Sequence, residues 1–384
     1  MVDSKPRSLP RVAAPEARSV TEAIVEPDLA IVDPHIHLFD DRTSNYTVDD
    51  LLHDTGSGHR VESVVFIECQ WGWDLAASDP AYAPVGEMRR IAEAAEESRR
   101  RRGTTIGRVV GHADLRHGAG AGDVLDALAD AVGGEFTGIR HGTTWDPSPL
   151  VKNHRTAPPR GLMSAPTFRA GYRELARRGL SFDAWLYHHQ LGEALDLVRA
   201  EPDVPFIVDH LGGPLSVGPY AEQSTEVRAE WRAGLTRLRD RSNVVVKLGG
   251  IGFPLMIEPS TIMATRSPEQ RARLRDDGND PDATPPTSTE LAAYWAEDIR
   301  WVIDQFGVER SMFESNFPID RVMCSYRTLW NAFKRIVADA SPDEKAALFR
   351  GTARRVYRFP GPEEALAGSV GTSQPTTITS EDGR

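Results

Sequence analysis

His35 and His37 stand one residue apart in LAIVDPHIHLFD, residues 29–40, where an apolar run gives way to polar residues. Side chains alternate between the two faces of a strand, so residues i and i+2 point the same way. Two histidines so placed can converge on one metal ion or one substrate group. Two unrelated polar residues where a strand meets a loop would look the same, so the rest of the chain must decide. It carries further groups able to do chemistry, again at the ends of apolar runs: Glu68, Cys69, Gln70 and Trp71; His112 and Asp114; Arg140 and His141, with Trp145 and Asp146 behind them; Tyr187, His188, His189 and Gln190; Asp209 and His210; Lys247; and Glu314, Ser315 and Asn316, with Asp320 shortly after.

The elements that must position these groups form a repeat. Apolar runs occur at LAIVDPH, SVVFIECQ (63–70), TIGRVVGHADL (105–115), EFTGIR (135–140), LSFDAWLY (180–187), PFIVDH (205–210), NVVVKLGG (243–250) and RSMFESN (310–316). Helix-forming or amphipathic stretches follow at 86–102, 124–132, 167–179, 191–200, 224–241, 291–307, 327–340 and 341–359. The last opens on Ser341 as an N-cap with Pro342 at the first helical position. Eight strands alternating with helices predict parallel strands joined by crossovers, an α/β fold closed as a (β/α)8 TIM barrel. The competing open, doubly wound sheet expects a glycine-rich phosphate turn after the first strand. DPHIHLFD stands there instead, without glycine. The expected organisation is one barrel domain over 28–360, with polar, loosely ordered tails at 1–27 and 361–384. Two insertions interrupt the rhythm, at 38–61 and at the Pro-, Asp- and Thr-rich 252–289. The second follows a barrel strand, where it would shape the pocket or a subunit contact, and part of it is expected to be mobile.

Composition narrows the function classes. The chain has 384 residues, with 45 basic against 56 acidic residues and a formal charge of −11. An acidic balance argues against nucleic acid and anionic membranes as partners. Two cysteines, Cys69 and Cys324, make no disulfide framework. No apolar run reaches the ~20 residues of a membrane span, and the N-terminal stretch lacks a secretory hydrophobic region. The expectation is a cytoplasmic protein acting on a small molecule, as a monomer or a homodimer.

Not every polar residue at a strand end need serve a site. His112 reads either as a hydrogen-bonded core residue or as a site group. Of His188 and His189, alternation lets only one face the barrel axis. His53, His59, His117 and His154 lie in loops and are expected to be solvated. Lys247 lies inside a buried run and needs a carboxylate; Glu68 and Asp209 are the natural candidates, and an internal ion pair and a functional lysine both remain open.

Taken together, VDPHIHLFD, FTGIRH, LYHHQL, DHLGGP, VKLGG, FESNFP and LFRGTARRVY resemble the amidohydrolase superfamily over roughly 29–358. More narrowly they are similar to the amidohydrolase-2 branch of barrel hydrolases, which includes sugar-lactone and pyrone-dicarboxylate lactonases. The resemblance implies that His35 and His37, with His210, hold one divalent metal, zinc or manganese, although metal-free members exist. It implies that His188 and His210 orient or polarise a carbonyl and that Arg140 orients the substrate. Gln70, Trp71, Trp73, Trp145 and Lys247 would line the pocket. With Arg140 at the fourth strand end, no lysine stands there to bridge two metals. One departure matters. The family's eighth strand ends in a Ser-Asp-Trp-Pro type sequence whose aspartate is the general base; this chain has Ser315, Asn316, Phe317 and Pro318. Asparagine takes no proton near neutral pH. Glu314, Asp320 and Glu68 are the carboxylates available to replace it. Hydrolysis of a lactone, or of a related ester or amide, is the leading expectation. A metal-dependent decarboxylase and a non-catalytic ligand-binding barrel are the alternatives.

Overall fold

A computed structural model describes residues 22–40 and 45–361. The expected tails lie largely outside that range. Residues 22–27 lie inside it and are tied down: Asn331 accepts from the Val25 amide at 2.8 Å, and Lys334 donates to the Glu26 carbonyl at 2.8 Å.

Eight parallel strands form the barrel: β1 (Ala30–Ile36), β2 (Arg60–Ile67), β3 (Thr105–Gly111), β4 (Phe136–Arg140), β5 (Ser181–Ala184), β6 (Phe206–Val208), β7 (Val244–Lys247) and β8 (Ser311–Met312). Their spatial order follows the chain, and a parallel bridge between Ile36 and Phe317 brings the β8 end back to β1. Around them run α1 (Val48–Thr55), α2 (Val85–Arg100), α3 (Ala121–Val132), α4 (Pro166–Arg178), α5 (Leu191–Ala200), α6 (Ser224–Leu238), α7 (Pro259–Ala264), α8 (Pro268–Asp276), α9 (Ser288–Phe306), α10 (Tyr326–Ile336), α11 (Pro342–Ala346) and α12 (Thr352–Val356). No helix among the described residues is long and apolar enough to cross a membrane.

All eight predicted strands and the main helices are present. The insertions hold more structure than the sequence announces. Residues 38–61 contain α1, and 252–289 contains α7 and α8. Arg266 anchors this second insertion, bound to Glu290 at 2.7 Å and to the carbonyl of Thr284 at 3.0 Å.

The core lies in two layers. A large apolar cluster fills the space between strands and helices. A smaller one fills the barrel itself: Val32, Val65, Ile67, Val110, Ile207, Val245 and Met312, closed below by Ala353, Val356 and Tyr357. This inner plug fixes the site above it. Two residues on from Val110, Ile207, Val245 and Met312 stand His112, Asp209, Lys247 and Glu314, and strand alternation aims all four along the same axis.

Candidate active site

The polar layer above the plug is buried, and its charges are paired with one another. Lys247 on β7 donates to Asp183 on β5 at 2.7 Å and lies 3.0 Å from Asp209 and 3.8 Å from Glu314. Tyr357 adds a hydroxyl to Asp183 at 2.7 Å. Burial opposes the ammonium, but the three carboxylates outweigh it and hold the Lys247 pKa above its ordinary value. Burial pushes Asp183 up to about 6 against that same ammonium. Of the two expected partners of Lys247, Asp209 is there and Glu68 is not. Glu68 instead takes Arg140, through Nε at 2.9 Å on Oε1.

The histidines gather at the top of this layer. His37 Nδ1 lies 2.8 Å from the Ile67 carbonyl, which leaves its Nε2 as a lone pair. That nitrogen is 3.2 Å from His35 Nε2. On its other side His35 Nδ1 sits 2.7 Å from Glu314 Oε2 and 3.1 Å from Lys247 Nζ. His210 Nδ1 lies 2.6 Å from Glu314 Oε1, and its backbone amide donates to the same oxygen at 3.1 Å. His210 is held there by a left-handed backbone with φ of 53°. Gly250 makes the room, since a Cβ on it would fall 1.8 Å from His210 Nδ1. Burial, and after it Lys247 for His35 and Arg140 for His37, keeps both histidines neutral well below the usual imidazole range.

The structure thus joins His35, His37, His210, Glu314, Arg140 and Lys247, and does not bring His188 to them. His188 sits with Tyr220, His189 and the Leu215 amide, 3.6 Å from Glu230 on α6. Chain alternation explains this: Asp183 and Trp185 take the inward positions, with the Trp185 ring 4.7 Å from that of His210. Asn316 donates to Asp320 Oδ1 at 2.8 Å, and the Gly252 amide donates to Oδ2 at 2.8 Å. Burial raises Asp320 to about 7, against the pull of His210. Glu68 makes a poor base. Burial would raise it, but Arg155 and Arg140 hold it well below the usual carboxylate range.

At the rim, Gln70 turns the chain with φ of 66°, and Trp71 gives its indole N–H to Asp40 at 2.8 Å. Trp145 lies beneath Arg160, 5.7 Å away. Two histidines expected in solvent are enclosed. His59 Nδ1 is 2.9 Å from Lys334 Nζ, and the half-buried His154 has its Nδ1 2.8 Å from the Thr156 hydroxyl. Long-range packing of the loops, invisible to local composition, covers them. The residues that sequence reasoning missed are Asp183, hidden inside an apolar run, and Arg155, in the loop after β4. For Asp183 the signal was its even spacing from Ser181 and Trp185; Arg155 gave none.

The donors suit a divalent cation. His35, His210 and Glu314 offer ligand atoms within 4.8 Å of one another. His35 and His37 set their Nε2 atoms 3.2 Å apart, where both would offer a nitrogen ligand to such an ion. Both oxygens of Asp209, and Oε2 of Glu314, are buried without a hydrogen bond. Arg140 Nη1, 3.3 Å from His35 Nε2, already faces the same space.

Comparison with known proteins places this geometry. The sequence model of the amidohydrolase family (Amidohydro_2) matches residues 32–359. An uncharacterized protein, y4mH, from Sinorhizobium fredii is 31% identical over 353 residues, 86% of this chain and 99% of its own length. The L-fucono-1,5-lactonase of Burkholderia multivorans is 25% identical over 268 residues, 68% of this chain and 74% of that one. Among solved structures, an amidohydrolase from Burkholderia multivorans with bound zinc superposes with a TM-score of 0.62 at 22% identity, covering 86% of this chain and all of the other. A putative 2-pyrone-4,6-dicarboxylic acid hydrolase from Pseudomonas putida gives a TM-score of 0.53 at 18% identity, over 86% of this chain and 98% of its own.

Proposed function

The chain belongs to the amidohydrolase family, and we propose that it hydrolyses a lactone, or a related ester, of a small acidic or hydroxylated molecule. The observation that carries this reading is the grip of Glu314 on His210, 2.6 Å from Nδ1 at the mouth of the barrel and beside His35. A carboxylate that fixes Nδ1 of an imidazole sets its tautomer and leaves Nε2 free to take a proton. In this reading His210 is the general base, and Glu314 supplies the negative charge that Asn316 lacks. The likeness to a lactonase of Burkholderia multivorans supports the reaction class.

The steps then follow from the side chains. His210 Nε2 removes a proton from water as the oxygen attacks the ring carbonyl. Arg140 has Nε and Nη2 committed to Glu68, and its Nη1 points to the cluster, where it stabilises the developing alkoxide. Collapse breaks the acyl–oxygen bond, and His210 returns its proton to the leaving ring oxygen, giving a hydroxy acid. A divalent metal, zinc or manganese, would be held at His35 and His37, and would polarise the carbonyl there.

The test is a panel of five- and six-membered lactones, with ring opening followed by proton release. The wild type opens at least one of them. Glu314→Gln, nearly isosteric, keeps its circular dichroism spectrum and loses ~10²–10⁴-fold in kcat with little change in KM. Wild-type kcat in Glu314→Gln, or a panel with no turnover, defeats the reading.

A further inference from the structure

We propose that Arg155 is a specificity residue whose open guanidinium N–H groups bind a carboxylate on the substrate, making this a site for anionic lactones. This deepens the hydrolase reading and rests on it.

The argument is an inventory of donors. Arg140, the arginine that the family resemblance marks for the substrate, is buried, with its Nε and Nη2 already committed. Nε donates to Glu68 Oε1 at 2.9 Å, Nη2 to the Glu68 carbonyl at 2.6 Å, and Nη1 lies 3.3 Å from His35 Nε2. Its Nη1 is taken up by the reacting carbonyl in the mechanism above, so a substrate carboxylate needs another cation. Arg155 approaches the same carboxylate from the loop after β4, through Nη2 to Oε2. Its side chain is 34% exposed where that of Glu68 is 1%. The bond to Glu68 engages one of its five N–H donors, and among the described residues the others meet no acceptor.

One buried carboxylate needs one guanidinium, and Arg140 provides it. A second at the same oxygen pair, a third of it exposed at the mouth, is surplus to that need. Glu87 lies close by on α2, but its carboxyl is taken by the amides of Cys69 at 2.7 Å and Trp71 at 2.9 Å and by the Trp73 indole at 3.3 Å. Lys152, three residues earlier in the same loop, adds a second cation. A planar guanidinium with open donors in a half-enclosed, cationic rim matches a carboxylate bidentately. When such a group docks, Glu68 keeps Arg140, so the catalytic layer below is undisturbed.

The experiment compares two small lactones and one inert probe on the full chain. The lactones are the γ-lactone of hydroxyglutarate, which carries a carboxylate, and neutral γ-valerolactone. The probe is glutarate, titrated by calorimetry. Arg155→Gln, checked for an unchanged melting temperature, is expected to raise KM for the anionic lactone by ~10–100-fold at near wild-type kcat. The neutral lactone moves less than ~3-fold, and glutarate binding weakens in parallel; Arg155→Lys recovers part of it. An equal fall on both lactones, or glutarate bound as tightly by Arg155→Gln as by the wild type, overturns the proposal. If neither lactone is opened but glutarate binding still depends on Arg155, the hydrolase reading fails and the carboxylate site stands. If lactones are opened without any dependence on Arg155, the reverse holds.

Discussion

Asn316 tests where the base resides. Its amide donates to Asp320 Oδ1 at 2.8 Å, so an aspartate at 316 would put two carboxyl groups at hydrogen-bond distance, and one of them would have to keep a proton. If Glu314 and His210 do the proton transfer, Asn316→Asp restores nothing. Its kcat at neutral pH falls by about tenfold, and the acid limb of the pH–rate profile moves upward as the new pair titrates. A several-fold rise in kcat would return the base role to position 316. The outcome bears on what a sequence reveals at this scale. His35, His37, Arg140, His210, Lys247 and Glu314 were legible as polar residues at the ends of apolar runs, and the family resemblance singled out the histidines and the arginine among them. The partner each one chooses was not. Lys247 bonding Asp183 rather than Glu68 depends on barrel stagger, and Arg155 reaching Glu68 depends on the course of a loop.

The strands were readable as short apolar runs ending in polar residues, because an apolar plug fills the barrel below the site. The helices α1 and α8 were not. α8, PEQRARLRD, buries no residue, so it carries no apolar stripe at helical spacing, and α1 is only eight residues long within a polar insertion. The same layering makes β5, β6 and β7 interdependent. Their inward groups Asp183, Asp209 and Lys247 are fully buried and share one positive charge. Lys247→Met fits the space but strands Asp183 and Asp209 without their counter-ion. Breaking a buried pair from one side costs about 3–5 kcal/mol, read as a lower urea midpoint at unchanged slope. Adding Asp183→Asn to Lys247→Met recovers part of the loss, because one of the stranded charges is removed. A single variant within ~1 kcal/mol of wild type would mean that water reaches the layer and screens it.

Across the whole molecule, burial sets two opposed responses to pH. His35, His37, His59, His112, His141, His154 and His188 are all held below the ordinary imidazole value, by burial first. The unfolded chain protonates them near 6.5 while the fold does not, so their contribution is present above ~6.5 and is lost as pH falls. Glu87 acts the other way. Burial, and then the Glu68 charge, raises it from 4.5 to about 7. The fold keeps a proton that the unfolded chain releases near 4.5, so this contribution is full below that pH and is lost as pH rises to about 7. Glu87→Gln has no proton to lose. Measured by thermal unfolding, the difference in stability between variant and wild type therefore shifts towards the variant from pH 4.5 to about 7 and is constant above it. Each unit of pKa displacement is worth ~1.4 kcal/mol. A difference that stays flat across that window would mean that Glu87 is ionised throughout, its charge carried by the Cys69 and Trp71 amides that bind it.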